Sequence, residues 1–322
     1  MEQTPKLTEL DIFRLKTTLR DMSIHGLYQL ASEYQVEIPF DALDIFSIVD
    51  NLVDGLKPAQ QQELLKKYAD AGRQSTYLYI SKEKSPSPFE IYNKANNLLF
   101  IKNESLIWEN YPYYDQVEID NMNDALKIRF HYLHGSTVTL DENGKQHEQR
   151  FKFNGVAVYR KNSRLLEVRA KHKGIADKIK TNTPAQIGIA PFATINLMDG
   201  KLIASFVEWI QSLNSANIEL ASTDAIAGSL RITARRGMDL KTAEKFAKEL
   251  KNGQLQGGHV TIEHEQTKVN FRINFRDCHI TYTLFTTEPD IAYVLNAIEK
   301  IMEGYNFDKP KRMLQEFFKQ PN

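Results

Sequence analysis

The chain has 322 residues, with 41 Lys and Arg against 41 Asp and Glu, so its formal net charge is zero. That balance excludes a histone-like polycation and an acidic-tail protein, and it supplies no global field for indiscriminate nucleic-acid binding. A hydrophobic fraction of 42% with 25% charged residues is globular composition, sufficient for one large domain or two ordinary ones.

Residues 1–73 read as a helical module. Thr8 and Asp11 have capping-box spacing ahead of Leu10, Phe13, Leu15 and Leu19. Ser23 can cap a second helix carrying Leu27, Leu30, Ala31 and Tyr34. After Pro39, Asp41 is the expected start of a third helix, with Leu43, Ile45, Phe46, Val49, Leu52 and Val53. Pro58 stands where a first-turn proline belongs, and Gly72 is the expected C-cap of that fourth helix.

From residue 74 to 322 the pattern predicts an α+β body, with a possible sub-boundary near 183–200. TYLYI at 76–80 reads as a strand, KEKSPSPFE as a loop, and NNLLFIKN and DALKIRFHYLH as further apolar segments. DENGK at 141–145 is a turn signal, and residues 151–159 and 165–170 form a predicted hairpin. Beyond it come helices over 201–213 and 240–251 and a strand at 228–235. Three strands in close succession then occupy HVTIEH, KVNFRINF and HITYTLF. A helix opened by Thr287 and Pro289 follows, with a short one around 310–318. The short connections between 258 and 285 favour antiparallel pairing, so the predicted body is mixed and largely antiparallel rather than doubly wound.

Neutrality conceals an uneven distribution of charge. Residues 1–80 carry 8 basic and 12 acidic side chains, whereas residues 151–190 carry 9 basic and only 2 acidic, a local excess of +7. The basic set is Lys152, Arg160, Lys161, Arg164, Arg169, Lys171, Lys173, Lys178 and Lys180. Such a cluster can neutralise several phosphates. Equally, it can pair with the acidic N-terminal module or with an acidic protein partner. A second basic group comprises Arg235 and Arg236 before the helix at 240–251 and Lys241, Lys245 and Lys248 on it. Lysines on an amphipathic helix also commonly just face water. Trp108, Tyr111, Tyr113 and Tyr114 offer rings on which bases could stack, or simply an apolar segment for packing.

The stretch FNGVAVYRKNSRLLEVRAKHK resembles in outline the PD-(D/E)XK metal-dependent nuclease core, in which an acid precedes a hairpin and the second strand carries Glu-x-Lys. Glu167 would be the catalytic carboxylate under that resemblance. Asn154 stands where the first acid belongs and Arg169 where the lysine belongs, so the paired carboxylates that hold Mg²⁺ are missing. His131 and His134, three apart in a predicted strand, should face opposite sides, and no zinc spacing occurs, so no metal or other cofactor is expected. The single cysteine, Cys278, excludes an internal disulfide and reads as a buried thiol within a strand. The N-terminal sequence lacks a secretory pattern and no apolar run suits a membrane span, which favours a cytoplasmic protein without membrane contact. The leading expectation is a non-enzymatic nucleic-acid-binding protein with a helical protein-interaction module at 1–73. A scaffold using its basic surface on an acidic partner is the alternative, and a nuclease-like protein, active or degenerate, is a further one. Oligomeric state is left open.

Overall fold

In a computed structural model, the described residues are 7–68, 70–72, 74–81, 88–95, 112–120, 125–140, 145–160, 165–187, 190–195, 205–206, 209, 215–221, 229–233, 254–264, 267–275 and 277–303. The expected helices at 240–251 and 310–318, the apolar run at 96–103 and most of the helix at 201–213 fall outside this set.

Thr8 caps α1 (Glu9–Leu19) with the expected capping box: its hydroxyl accepts from Asp11 N, and the Asp11 carboxylate accepts from Thr8 N. Ser23 caps α2 (Ile24–Glu33) by accepting from Gly26 N. α3 (Ile45–Gly55) starts later than expected. Asp44, not Asp41, is its N-cap, because the Asp44 carboxylate accepts from both Phe46 N and Ser47 N. α4 (Pro58–Tyr68) opens on its first-turn proline. Gly72 does not cap it. The helix stops at Tyr68, and Gly72, at φ 97°, donates its N–H to Thr286 O. Leu15, Leu19, Leu27, Leu52 and Leu64 fill the centre of the module, and Phe285 packs against them from the far end of the chain.

The body is α+β, built on an antiparallel sheet. Its strands are β1 (Ser75–Ser81), β2 (Tyr113–Asp120), β3 (Ala125–Leu140), β4 (Gln146–Arg160), β5 (Leu165–Arg169) and β6 (Phe192–Thr194). They continue with β7 (Ser215–Ala221), β8 (Ser229–Thr233), β9 (Gln254–His264), β10 (Thr267–Asn274) and β11 (His279–Tyr282). Their spatial order is β2-β3-β4-β5-β1-β11-β10-β9-β7-β8, and β6 shares the edge of β1 with β11. The helices are α5 (Pro88–Ala95), α6 (Lys173–Ile187) and α7 (Glu288–Glu303). α5 occupies the end of the segment expected as a proline loop, because Pro88 serves as its first residue. Cys278 is buried as expected, but it lies in the turn before β11, at φ 46°, rather than inside a strand.

Strand alternation gives the first half of the sheet two unlike faces. Leu126, Ile128, Phe130, Tyr159, Leu166 and Val168 form the apolar face, which packs with Ile91 of α5 and with Ile175 and Ile179 of α6. The intervening positions (Lys127, Arg129, Arg160, Glu167 and Arg169) give the other face its charge, and Asp70, from the turn after α4, and Glu288 and Glu299 of α7 send acidic groups to it. In the second half, Val260, Phe271, Ile273 and Ile280 pack with Ile291, Val294 and Ile298 of α7.

Gly155 lies opposite Phe130 in the β3–β4 register. A Cβ there would strike the Phe130 ring and sit 2.7 Å from Arg169 O, a backbone atom that cannot rotate aside. Gly155→Ala should therefore destabilise the fold by about 1–3 kcal/mol. Gly174→Ala, where a Cβ meets open space at the start of α6, should be neutral or stabilising by up to about 1 kcal/mol. Urea denaturation of the two variants checks this contrast, and equal midpoints would refute it.

Candidate nucleic-acid interface

Lys161, Arg164, Arg235, Arg236, Lys241, Lys245, Lys248, Trp108 and Tyr111 lie outside the described residues. The remaining basic candidates divide sharply. Arg160 and Arg169 do not face solvent: they are 8% and 2% exposed and enclose Glu167, itself 1% exposed. The β4–β5 register explains why, since it sets Val158 opposite Glu167 and Val156 opposite Arg169, leaving all of these on the charged face. Arg169 donates to Glu167 and Glu288 and, at 3.0 Å, to Asp70 O; Arg160 donates to Glu167 at 3.3 Å and lies 3.8 Å from Glu299. These two arginines are thus part of the interior and not of a phosphate-binding surface. Burial alone would raise the Glu167 carboxyl, but Arg169 and Arg160 overcome it and hold the group below its ordinary value.

The same face anchors the helical module. Arg14 of α1 reaches Asp115 at 3.0 Å, and Arg129 reaches Asp70 at 2.7 Å and Glu118 at 2.7 Å. Asp115 is available because β2 slips register against β3 between Tyr114 and Gln116, a bulge that re-aims its carboxylate toward Arg14 and His131. A small cavity of about 60 Å³ remains where α1 meets β4, lined by residues including Arg14, Asp70, Asn154 and Lys171. Asn154 Oδ1 is buried beside it without a partner among the described residues. The carboxylate singled out by the nuclease resemblance, Glu167, is paired with Arg160 and Arg169. Among the described residues no group of three or more metal-ligating side chains occurs.

The lysines behave differently. β3 pairs with β2 only as far as His131, and β4 pairs with β5 only from Val156, so the distal parts of β3 and β4 extend as a two-stranded arm. At its root a second irregularity, between Leu133 and Ser136, accommodates His134 and Gly135, the latter at φ 71°. Here an aromatic cluster forms. Phe153 stacks on Tyr132 at 5.6 Å between centroids, and the His134 and His172 rings lie 3.6 Å apart. Phe151, 44% exposed, follows on the same strand face as Phe153. Lys171 Nζ stands 5.2 Å over the Phe153 ring and 3.6 Å from Asp21, and remains 43% exposed. Lys152, also exposed, sits 5.1 Å over Phe13 of α1. His131 and His134 face opposite sides, as parity requires: His131 bonds Asp115 while His134 meets His172.

Other candidates are committed elsewhere. Lys173 pairs with Asp277 while keeping 48% exposure, and Lys180 lies over the Tyr79 ring and 3.6 Å from Asp177. Lys178 is half-buried on α6, which at fifteen residues is longer than the short stretch expected. Tyr114 is buried with its hydroxyl 2.8 Å from Thr183, and Tyr113 lies against His131 at 4.8 Å, so neither ring is an open platform. The aromatic cluster that the sequence reading missed carries one local signal, the alternation Phe151-x-Phe153 ahead of Lys171 and His172. Among the described residues no helix is long and apolar enough to cross a membrane.

The charged face sets an acid limit on stability. Burial would raise the Asp70 carboxyl, but Arg129 and Arg169 hold it down at about 2, below its ordinary 3.8. A depressed carboxyl contributes stability that is full above pH 4 and is lost as pH falls toward 2. Glu288 acts in the opposite sense, because burial raises its carboxyl despite Arg169. Asp70→Asn should lower stability at pH 7 by about 2 kcal/mol and flatten the loss between pH 4 and 2. Urea midpoints across that range test it; a variant as acid-sensitive as the parent would refute the assignment.

No protein-family model matches the sequence, and no curated protein matches it either.

Proposed function

We propose that the protein is a non-enzymatic nucleic-acid-binding protein whose contact surface is the root of the β3–β4 arm. The observation that carries this reading is the juxtaposition of an exposed ammonium group with an exposed ring: Lys171, over the half-buried Phe153 and beside the His134–His172 pair, stands next to the exposed Phe151. Lysines supply sequence-independent phosphate contacts, and the rings supply faces on which unpaired bases stack at about 1–3 kcal/mol each. The arginines of the interior take no part. Lys171 positions the backbone and Phe151 is the stacking group, with Phe153 supporting Lys171 from beneath; Lys152, on the opposite face of β4 over Phe13, adds positive charge at the rim.

Binding to short single-stranded DNA and RNA should weaken steeply as salt rises, and Lys152→Glu with Lys171→Glu should reduce affinity at least about tenfold at low salt. Phe151→Ala should weaken single-stranded binding while leaving the salt slope unchanged. Fluorescence anisotropy across a salt titration measures all three; affinity indifferent to salt and to these substitutions would overturn the reading.

A second surface supports protein contact by the helical module. Ile24, Tyr28, Phe40, Leu43 and Phe46 are exposed, Phe40 fully and Leu43 to 82%. Large apolar groups gathered on so short a segment favour a partner surface over plain solvation. Acidic Glu33, Glu37, Asp41 and Asp44 are exposed in the same segment, a composition suited to an amphipathic partner carrying basic residues. Phe40→Ser with Leu43→Ser should leave the unfolding midpoint within about 0.5 kcal/mol of the parent. The same pair should reduce binding of a hydrophobic fluorescent dye. A large loss of stability would show instead that these side chains belong to the core.

A further inference from the structure

Four described histidines define two kinds of environment. His131 and His264 are each hydrogen-bonded to a carboxylate, Asp115 at 2.7 Å and Asp290 at 2.9 Å. His172 instead lies against His134, their ring centroids 3.6 Å apart and their planes tilted by 33°, and among the described residues neither of these two rings has a hydrogen-bond partner. The groups facing His172 are cationic or aromatic. His134 comes from β3, Tyr132 and Phe153 present ring edges at 6.1 and 5.6 Å, and Lys171 and Lys173 flank it in the chain. The carboxylates nearest in this arrangement, Asp21 and Asp277, lie beyond those lysines and are engaged by them. A close imidazole pair beside the Lys171 ammonium group is a place short of negative charge.

We propose that His134 and His172 form a phosphate site that takes up a proton as the phosphate binds. This rests on the nucleic-acid reading for its natural ligand, a phosphodiester or a terminal phosphomonoester, but the site itself is a property of the imidazole pair. In the free protein, burial, then His134 and Lys171, keep the His172 imidazole below its ordinary value, so near neutral pH it is uncharged. A phosphate dianion or monoanion laid against the rings supplies the missing counter-charge and favours imidazolium. By linkage the bound state holds a proton that the free state lacks. Affinity is therefore highest below the free-state value of His172 and falls as pH rises through the bound-state value. A rise of one unit on binding corresponds to about tenfold in affinity.

The test has two arms. In the first, the His172 imidazole is titrated by NMR in the whole protein, with and without inorganic phosphate. Phosphate should raise its titration midpoint by about one unit, and His134→Gln should diminish the rise. A midpoint indifferent to phosphate overturns the proposal. Circular dichroism confirms that the variant is folded, and His172→Gln provides an independent check, since it should weaken phosphate binding at about pH 5.5 and leave it unchanged at about pH 8. The second arm compares oligonucleotides carrying a 5′-phosphate or a 5′-hydroxyl at those two pH values. A preference for the 5′-phosphate at low pH assigns the site to a terminal phosphomonoester, and equal gains assign it to the backbone. If phosphate shifts His172 but no oligonucleotide binds, the nucleic-acid reading fails and the anion site stands. If oligonucleotides bind with no dependence on pH and phosphate leaves His172 unmoved, the anion site fails and the nucleic-acid reading stands.

Discussion

A single carboxylate, Glu167, enclosed by the guanidinium groups of Arg160 and Arg169, sets the terms for the rest of the molecule. A charge withdrawn from water is tolerated only with close counter-charges and filled hydrogen-bonding positions. Two arginines satisfy Glu167, yet each arginine carries more donors than one carboxylate can accept. The surplus is taken up by Asp70 O from the helical module and by Glu288 and Glu299 from α7. Closure of both ends of the chain over one sheet face follows from that demand. Such a network need not exceed an apolar core in stability. Its effect is on register: a one-residue slip of β5 would place Glu167 on the apolar side, among Leu126 and Tyr159.

The charge distribution along the chain acquires a different meaning in this light. The excess of positive residues at 151–190 is not one surface. Part of it, Arg160 and Arg169, is spent inside the fold, and part, Lys171 and Lys173, stands outside in contact with Asp21 and Asp277. Among the described residues the contact of Lys171 with the acidic module is its pair with Asp21 at 3.6 Å, both groups substantially exposed, the class of ion pair that contributes little to stability.

Features governed by neighbours in sequence were legible before the structure. Thr8, Ser23 and Pro58 mark helix starts because caps and first-turn prolines act within three residues. The antiparallel strands from 254 to 282 follow from short connections and alternation. The interior fate of Arg169 was not legible: its sequence neighbours set it in the basic surface, and only the burial of β5 on both faces turns its shared parity with Glu167 into an enclosed pair. What the sequence could not show was the set of partners. Asp70 and Glu288 are brought to Arg169 by tertiary folding, and periodicity within a strand says nothing about which distant helix will cover it. His134 and His172 meet for the same reason, one at an irregularity in β3 and the other just ahead of α6. Asp44 in place of Asp41 is a subtler miss: both are good capping residues, and only Asp44 has the following N–H groups within reach.

The junction between β1 and β11 has a mechanical consequence. Among the described residues three paired positions, from Ser75–Thr281 to Tyr77–His279, join the two halves of the sheet, with one further backbone bond at each end, Leu78 N–H to Cys278 O and Tyr282 N–H to Gln74 O; β6 takes the rest of that edge. Antiparallel rungs run across the strands, so a force drawing the halves apart would open them one at a time, like a zipper. The carboxylates of Glu288 and Glu299 cross this seam from the C-terminal helix to arginines on the other side, as clamps fitted over a short weld. The seam is thus closed three ways, by backbone pairing, by these charged clamps, and by an apolar cluster in which Leu78, Ile80 and Leu165 from one side meet Ile280, Ile291 and Val294 from the other.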